Sequence, residues 1–169
     1  MISKKMKDAL NAQINAELYS AYLYLAMEAW FQSVNFQGFA KWMRVQTREE
    51  MSHAMKIYDF ITDRGGRVTL DAIAGPGGEW KSPLAVFEAA YKHEQKVTAL
   101  INGLVELAEK EKDHATGVFL QWFVTEQVEE EKNASEIVAK LQILKDSAGS
   151  MYMLDKELGK RKSETEGDE

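Results

Sequence analysis

The chain has no cysteine among its 169 residues, and it has only two prolines and eleven glycines. Without cysteine there is no disulfide framework, thiolate zinc site, iron–sulfur cluster or cysteine nucleophile. So little proline and glycine is poor material for a turn-rich β-sandwich and favours long helices. No apolar run reaches the roughly 18 residues that a membrane-spanning helix needs. A net charge of −6 argues against nucleic-acid binding through a basic surface.

The apolar residues, 45% of the chain, are enough for one sizeable core. They recur at helical spacing over about residues 3–33, 38–64, 82–112 and 113–145, and over a short segment, 151–160. Ser3, Ser82 and Asp113 are suited to cap three of these helices. Gly65-Gly66 should stop the second helix, and residues 147–150 should break the chain before the fifth.

Residues 65–81 differ from the rest of the chain. They hold five glycines and one of the two prolines, with Arg67–Leu70 as a brief extended piece. This connection is too long for a hairpin, so it can carry the chain from one helix pair to the next. We therefore predict an all-α fold: a four-helix bundle with a long crossover and a short fifth C-terminal helix. Residues 1–160 form the domain, and 161–169 form a disordered polar tail.

The first helix is apolar almost all round between Leu18 and Phe31. One bundle core cannot face every side of a helix. We therefore expect its outer face to be buried against another subunit, in a homo-oligomer.

Polar residues interrupt the apolar stripe of each long helix at one level. The interruptions are Glu17 on the first helix, Gln46, Glu50 and His53 on the second, Glu94 on the third, and Gln127 and Glu130 on the fourth. A hidden repeat relates them, because Glu17, Glu50 and His53 shifted by 77 positions land on Glu94, Gln127 and Glu130.

Four carboxylates and a histidine at one level of an apolar core would cost many kcal/mol if left unpaired. A lone glutamate often reaches water, but that explanation fails for the whole set. No lysine or arginine lies on these stripes at that level, so we expect two divalent ions to balance four negative charges. Oxygen ligands with some nitrogen and no sulfur favour iron or manganese over structural zinc or calcium.

At this point the chain closely resembles the non-haem ferritins of bacteria and archaea. The resemblance covers about residues 3–160, and its motifs are Asn15–Glu17 with Tyr22–Tyr24, Arg48–Ala54, His93-Glu94 and Glu126–Glu131. It implies iron storage and detoxification: oxidation of ferrous ion by dioxygen, or peroxide, at a dinuclear ferroxidase centre. The ferric mineral would be stored inside a shell of twenty-four subunits, with the fifth helix at a symmetry axis.

The resemblance also implies which residues hold the two irons. By motif match, Glu17, Glu50 and His53 hold one iron. Glu94 and Glu130 hold the other, and Glu50 bridges the two.

Further roles come from the same resemblance. Gln127 is implied to lie close to the second iron, and Tyr24 can supply an electron. A third, weaker iron site matches Glu49, Glu126, Glu129 and Glu130. From the sequence alone, the outer acids could equally be a solvated face, and Tyr24 a core side chain.

Two alternatives stay open. Met51 follows Glu50 where haem-containing bacterioferritins place a haem ligand, although Gln127 and Glu130 depart from that family's pattern, so haem is not expected. A structural oligomer with a non-catalytic metal would show the same acids.

We expect ferrous ion and dioxygen as partners, without nucleic acid or membrane. Glu17 interrupts any N-terminal signal core, which favours an unprocessed, cytoplasmic chain.

Overall fold

A computed structural model of the protein describes residues 2–144 and 147–162. Over these ranges the chain forms five helices and no strand. They are α1 (Lys4–Ser33), α2 (Gln37–Asp63), α3 (Pro83–Glu111), α4 (His114–Leu144) and α5 (Ala148–Leu158). The four long helices and the short fifth confirm the predicted all-α bundle. Within the described residues, no helix is long and apolar enough to cross a membrane.

The three residues predicted to cap helices lie at the starts of α1, α3 and α4. Ser3 Oγ accepts a hydrogen bond from the Met6 amide at 3.1 Å, and Ser82 Oγ accepts one from the Ala85 amide at 3.2 Å. Asp113 caps the start of α4 and also pairs with Arg64, which lies 3.1 Å away just beyond the end of α2. Asp113 therefore ties two helix ends together.

The helices pack as two antiparallel pairs, α1 with α2 and α3 with α4, and α1 also contacts α3. Helices α2 and α4 are farther apart and meet through large side chains. Phe60 stacks on Phe119 with ring centroids 3.9 Å apart, and the His53 ring lies 5.3 Å from the Trp122 ring. This wider spacing leaves room for polar side chains between α2 and α4.

The crossover between α2 and α3 runs along α1. The Thr69 amide donates to Asn11 Oδ1 at 2.9 Å, and Asn15 Nδ2 donates to the carbonyl groups of Asp71 and Ala72 at 3.2 Å each. This extended segment joins no sheet in the described part of the chain. Two asparagines one turn apart on α1 thus supply hydrogen-bond partners for its backbone amide and carbonyl groups.

The apolar core is divided into two clusters. The first includes Tyr24, Phe31, Phe39 and Phe87 and lies at the end of the bundle that α5 covers. The second lies at the opposite end, around Leu10, Ile57, Ile101 and Leu120. The polar interruptions predicted from the sequence occupy the layer between these two clusters.

Helix α5 begins at Ala148, three residues earlier than predicted. The break predicted over residues 147–150 is wrong for Ala148–Ser150, because Ser147 takes the cap position and its carbonyl accepts the Met151 amide at 2.8 Å. The predicted end of the fourth helix, about residue 145, lies outside the described residues.

Helix α5 in turn caps α2. Phe36 precedes α2 and has no polar side chain for capping, but Asp155 Oδ1 accepts the Phe39 amide at 2.9 Å. This approach requires Gly38, since a Cβ there would lie 1.7 Å from the Asp155 carbonyl oxygen. The lack of a side chain at residue 38 therefore fixes α5 on the bundle.

Arg161 makes defined contacts with the bundle, although the sequence predicts a disordered tail over residues 161–169. Its side chain is 19% exposed, because the guanidinium finds acceptors on Gln46 and Glu49 and lies over the Trp42 ring. Residues 163–169 lie outside the described residues, and their predicted disorder stays a prediction.

Replacing Gly38 by alanine should displace α5 and lower the unfolding temperature, at a cost of about 1–3 kcal/mol or more from the forced shift and the lost cap. Gly103→Ala is the matched control. It lies within α3 with open space around its Cβ, so it should stabilise by up to about 1 kcal/mol. Thermal unfolding followed by circular dichroism measures both. Equal effects of the two substitutions would contradict the Asp155 contact as the reason for glycine at position 38.

Candidate metal centre

The layer between the two apolar clusters contains buried acidic side chains from all four long helices. Glu17 and Glu94 are each 1% exposed, Glu50 is 2%, and Glu130 is 4%. Carboxylates this deeply buried need hydrogen bonds, protons or cations to offset the lost hydration.

Helices α1 and α2 supply the first group of ligand atoms. One atom from each of Glu17, Glu50 and His53 lies within 4.8 Å of the other two. Two glutamines support the acids from one turn earlier: Gln13 Nε2 donates to Glu17 at 2.8 Å, and Gln46 Nε2 donates to Glu50 at 3.1 Å. Glu17 Oε2 is buried and has no hydrogen-bond partner among the described residues.

Glu94 on α3 is held by two neighbouring helices. The Tyr24 hydroxyl donates to Glu94 Oε1, and Gln127 Nε2 donates to Oε2 at 3.2 Å. Burial, followed by the charge of Glu94, raises the pKa of Tyr24 well above its usual range, so the hydroxyl keeps its proton and remains a donor. Tyr24 and Gln127 thus orient the acid that we assigned to the second iron.

His53 lies between the inner acids and an outer one. Its Nδ1 is 3.4 Å from Glu50 Oε2, and its Nε2 is 3.8 Å from Glu126 Oε1. Atoms of His53, Glu126 and Glu130 form a second ligand-sized group. Glu130 is therefore grouped with His53 and Glu126, whereas the motif match implies that it shares an iron with Glu94. In the described chain, both Glu94 oxygens are already hydrogen-bonded to Tyr24 and Gln127.

The electrostatics of the layer favour added positive charge. Burial, then the charges of Glu94 and Glu17, raise the pKa of Glu50 well above its usual range. Burial, then Glu50 and Glu94, do the same to the pKa of Glu130. Burial also raises the pKa values of Glu17 and Glu94. Ionising these acids is therefore costly unless a divalent cation takes the place of the proton.

An outer acidic cluster lies between α2 and α4, beside His53. A cavity of about 90 Å³ is lined there by Glu49, Glu126, Glu129 and Glu130, together with Arg161. Glu126 is 27% exposed along its side chain, and Glu129 is exposed. The four acids assigned to a third iron site thus line one cavity.

Two supporting residues were missed by the sequence analysis. Gln13 precedes Glu17 by four residues, as Gln46 precedes Glu50, and this i, i+4 repeat was a readable signal. Arg161 was missed because it lies 115 positions from Gln46, so no local pattern connects them.

His93, which precedes Glu94, is paired with Ser20 on α1. Its Nε2 lies 2.8 Å from Ser20 Oγ, and burial, with Lys96, lowers its pKa to about 4. The neutral ring adds no positive charge to the layer.

The donor set fits iron. The groups contain carboxylate oxygens and one imidazole that spans both of them, and Glu17 Oε2 offers an unsatisfied oxygen. Such hard, oxygen-rich ligands suit ferrous and ferric ions and are unlike a structural zinc site.

Residues 7–144 match the family described as "Ferritin-like domain". Among curated proteins, a bacterial non-heme ferritin of Bacteroides fragilis is 45% identical over 161 residues, covering 95% of this chain and all of the relative. One from Escherichia coli is 40% identical over 158 residues, covering 94% and 96%. An open-pore ferritin of the archaeon Archaeoglobus fulgidus superposes with a TM-score of 0.95 and 56% identity, covering 96% of this chain and 100% of that one. The chain therefore belongs to the ferritin family, within its bacterial and archaeal non-haem branch.

Proposed function

We propose that the protein oxidises ferrous ion at a two-iron centre and stores the ferric product as mineral inside a multisubunit shell. Oxidation and storage of iron are the activity of its family. The observation that carries the proposal is the layer of four buried glutamates and a histidine between two apolar clusters. Two ferrous ions supply the four positive charges that balance those carboxylates.

Glu17, Glu50 and His53 are proposed to hold the first ferrous ion, and their ligand atoms already lie within 4.8 Å of one another. Glu94 and Glu130 would hold the second. Glu50 is the bridging candidate, because the charges of both Glu94 and Glu17 act on it. Dioxygen would then accept one electron from each ferrous ion, while the apolar clusters keep bulk water away.

Tyr24 and Gln127 complete the proposed centre. Both donate hydrogen bonds to Glu94, so they fix its orientation before iron arrives. Tyr24 is also proposed to supply a further electron, and its burial beside Glu94, a proposed ligand of the second ion, supports this role. Peroxide remains a candidate oxidant beside dioxygen.

Glu49, Glu126, Glu129 and Glu130 are proposed to form a third, weaker iron site. Its connection to the centre is His53, which faces Glu50 through one ring nitrogen and Glu126 through the other. Greater exposure of the outer acids makes this site weaker than the inner pair.

The proposed assembly is a cytoplasmic shell of twenty-four copies. Tyr22 and Leu25 on α1 are 48% and 43% exposed, and Tyr152 and Met153 on α5 are 57% and 69% exposed. Contacts between copies would cover these apolar surfaces. Met51, 46% exposed, leaves a haem-binding variant of the same shell as the alternative, which a Soret absorption band would reveal.

Substituting Glu50 should affect both proposed ions, and substituting Glu94 only one. Glu50→Ala should abolish fast oxidation, because it removes the bridging carboxylate. Glu94→Ala should leave about one tight metal per subunit and slow oxidation. Stopped-flow absorbance after mixing with ferrous ion and dioxygen measures the rate, and anaerobic calorimetry counts the metals.

The control for these variants is Glu106→Ala, which removes an exposed acid from α3, the helix that also carries Glu94. It should retain two tight metals and the parent rate. If Glu94→Ala loses both metals, Glu94 serves the whole centre and the division of ligands is wrong.

In the metal-free protein, Glu50 should lower the free energy of unfolding at pH values above about 4.5, which is the pKa of a glutamate in the unfolded chain. Because burial raises its folded pKa, the folded state keeps a proton that the unfolded state releases, so stability falls as pH rises through this window. Glu50→Gln removes that loss. Its stabilisation relative to the parent should therefore be larger at pH 7.5 than at pH 4.5.

Thermal unfolding in the presence of a chelator measures this difference, with Glu106→Gln as the control. A Glu50→Gln variant less stable than the parent at pH 7.5 would show that the acid is a structural hydrogen-bonding group rather than a metal ligand.

The exposed apolar faces predict a large closed assembly in solution. Multi-angle light scattering at neutral pH and moderate salt should give a mass near twenty-four times the 19.2 kDa subunit. A stable monomer or dimer under these conditions would rule out the shell.

A further inference from the structure

Arg161 places a positive charge at the outer acidic cluster. Its Nη2 donates to Glu49 Oε2 at 2.5 Å, and its Nη1 donates to Gln46 Oε1 at 2.8 Å. The guanidinium also lies over the Trp42 ring, 4.4 Å from the centroid. The side chains of Arg161 and Glu49 are 19% and 18% exposed, so this ion pair is partly shielded from water.

The packing of α5 fixes where Arg161 can reach. Leu158 is buried in the first apolar cluster, and Asp155 caps α2. The Arg161 amide then donates to the Leu158 carbonyl at 3.2 Å. The chain is therefore anchored three residues before the guanidinium.

The guanidinium and a metal ion would use the same oxygen atoms. Glu49 is one of the proposed third-site ligands, and Arg161 lines the cavity that also contains Glu126 and Glu129. An Arg–carboxylate hydrogen bond must break, or move to another oxygen, before the carboxylate can fully coordinate a cation. The cluster is thus already partly neutralised by the chain itself.

Arg161 is also connected to the inner centre. The Arg161 guanidinium donates to Gln46 Oε1, so the other end of the Gln46 amide faces Glu50. There Gln46 Nε2 donates to Glu50 Oε1 at 3.1 Å. A change in the position of Arg161 therefore affects the side chain that orients the proposed bridging acid.

We propose that Arg161 is a positioning residue that acts as a built-in competitor of the third iron. It holds Glu49 and Gln46 in place until ferrous ion enters the outer cluster, and its release is part of binding. Arg161 thereby keeps the third site weak, which favours onward movement of iron over retention. This inference rests on the proposed function and deepens it.

Anaerobic titration calorimetry with ferrous ion tests the competition. Arg161→Ala should tighten the weak class of sites about three- to thirtyfold, the range expected for loss of a partly exposed charge-assisted hydrogen bond. Arg161→Lys keeps the charge without the forked geometry and should give an intermediate affinity. Lys162→Ala removes an equal charge from the exposed neighbouring residue and should change little.

The double variant Glu126→Ala/Glu129→Ala identifies the weak class, because it should lose that class and keep two tight metals. Absence of the tight pair in the parent would refute the proposed function. A tight pair without a weak class would refute the third site and with it the role of Arg161. Unchanged or weaker third-site binding in Arg161→Ala, or equal tightening in Lys162→Ala, would overturn the inference alone.

A second measurement uses the unmodified protein, so it does not depend on a variant folding. Hydrogen exchange of the amides of residues 159–162 should speed up when anaerobic ferrous ion fills the third site, because the guanidinium releases Glu49. Exchange that is unchanged or slower would mean that Arg161 stays in place with the metal, contrary to the proposal.

Discussion

Burial of four carboxylates within one apolar core is the constraint on which the rest of the structure depends. Glu17, Glu50, Glu94 and Glu130 come from four different helices and are all almost fully removed from water. Burial raises the pKa values of all four, and the charges of neighbouring acids in the layer raise those of Glu50 and Glu130 further. The two apolar clusters above and below must therefore stabilise the bundle enough to hold together groups that repel one another.

The supporting side chains divide the centre into a fixed part and an adaptable part. Glu94 has hydrogen-bond donors on both oxygens, from Tyr24 and Gln127. Glu17 has a donor on one oxygen only among the described residues. His53 faces acids on both sides, which joins the inner centre to the outer cluster. Such a graded arrangement suits ions that are substrates, since they must bind, react and leave.

Most of the fold and the inner acids could be predicted because both depend on local, periodic signals. Ser3, Ser82 and Asp113 act on amides three residues away, and polar interruptions of an apolar stripe mark the core side of each helix. Helix α5 starts earlier than the sequence predicts because its backbone hydrogen bonds already begin at the Ser147 carbonyl, without a capping bond from the Ser147 side chain. The pairing of Glu130 with His53 and Glu126 depends on side-chain directions that spacing does not encode.

The sequence by itself determined the helices, the long crossover between the two helix pairs, and the level at which charge enters the core. Only the tertiary structure decided which groups share that charge. It brought Asp155 to the start of α2 and Arg161 to Gln46 and Glu49, across separations of 112–116 residues. Local periodicity cannot predict such contacts, because they depend on how α5 packs, and that packing depends on the close approach that Gly38 allows.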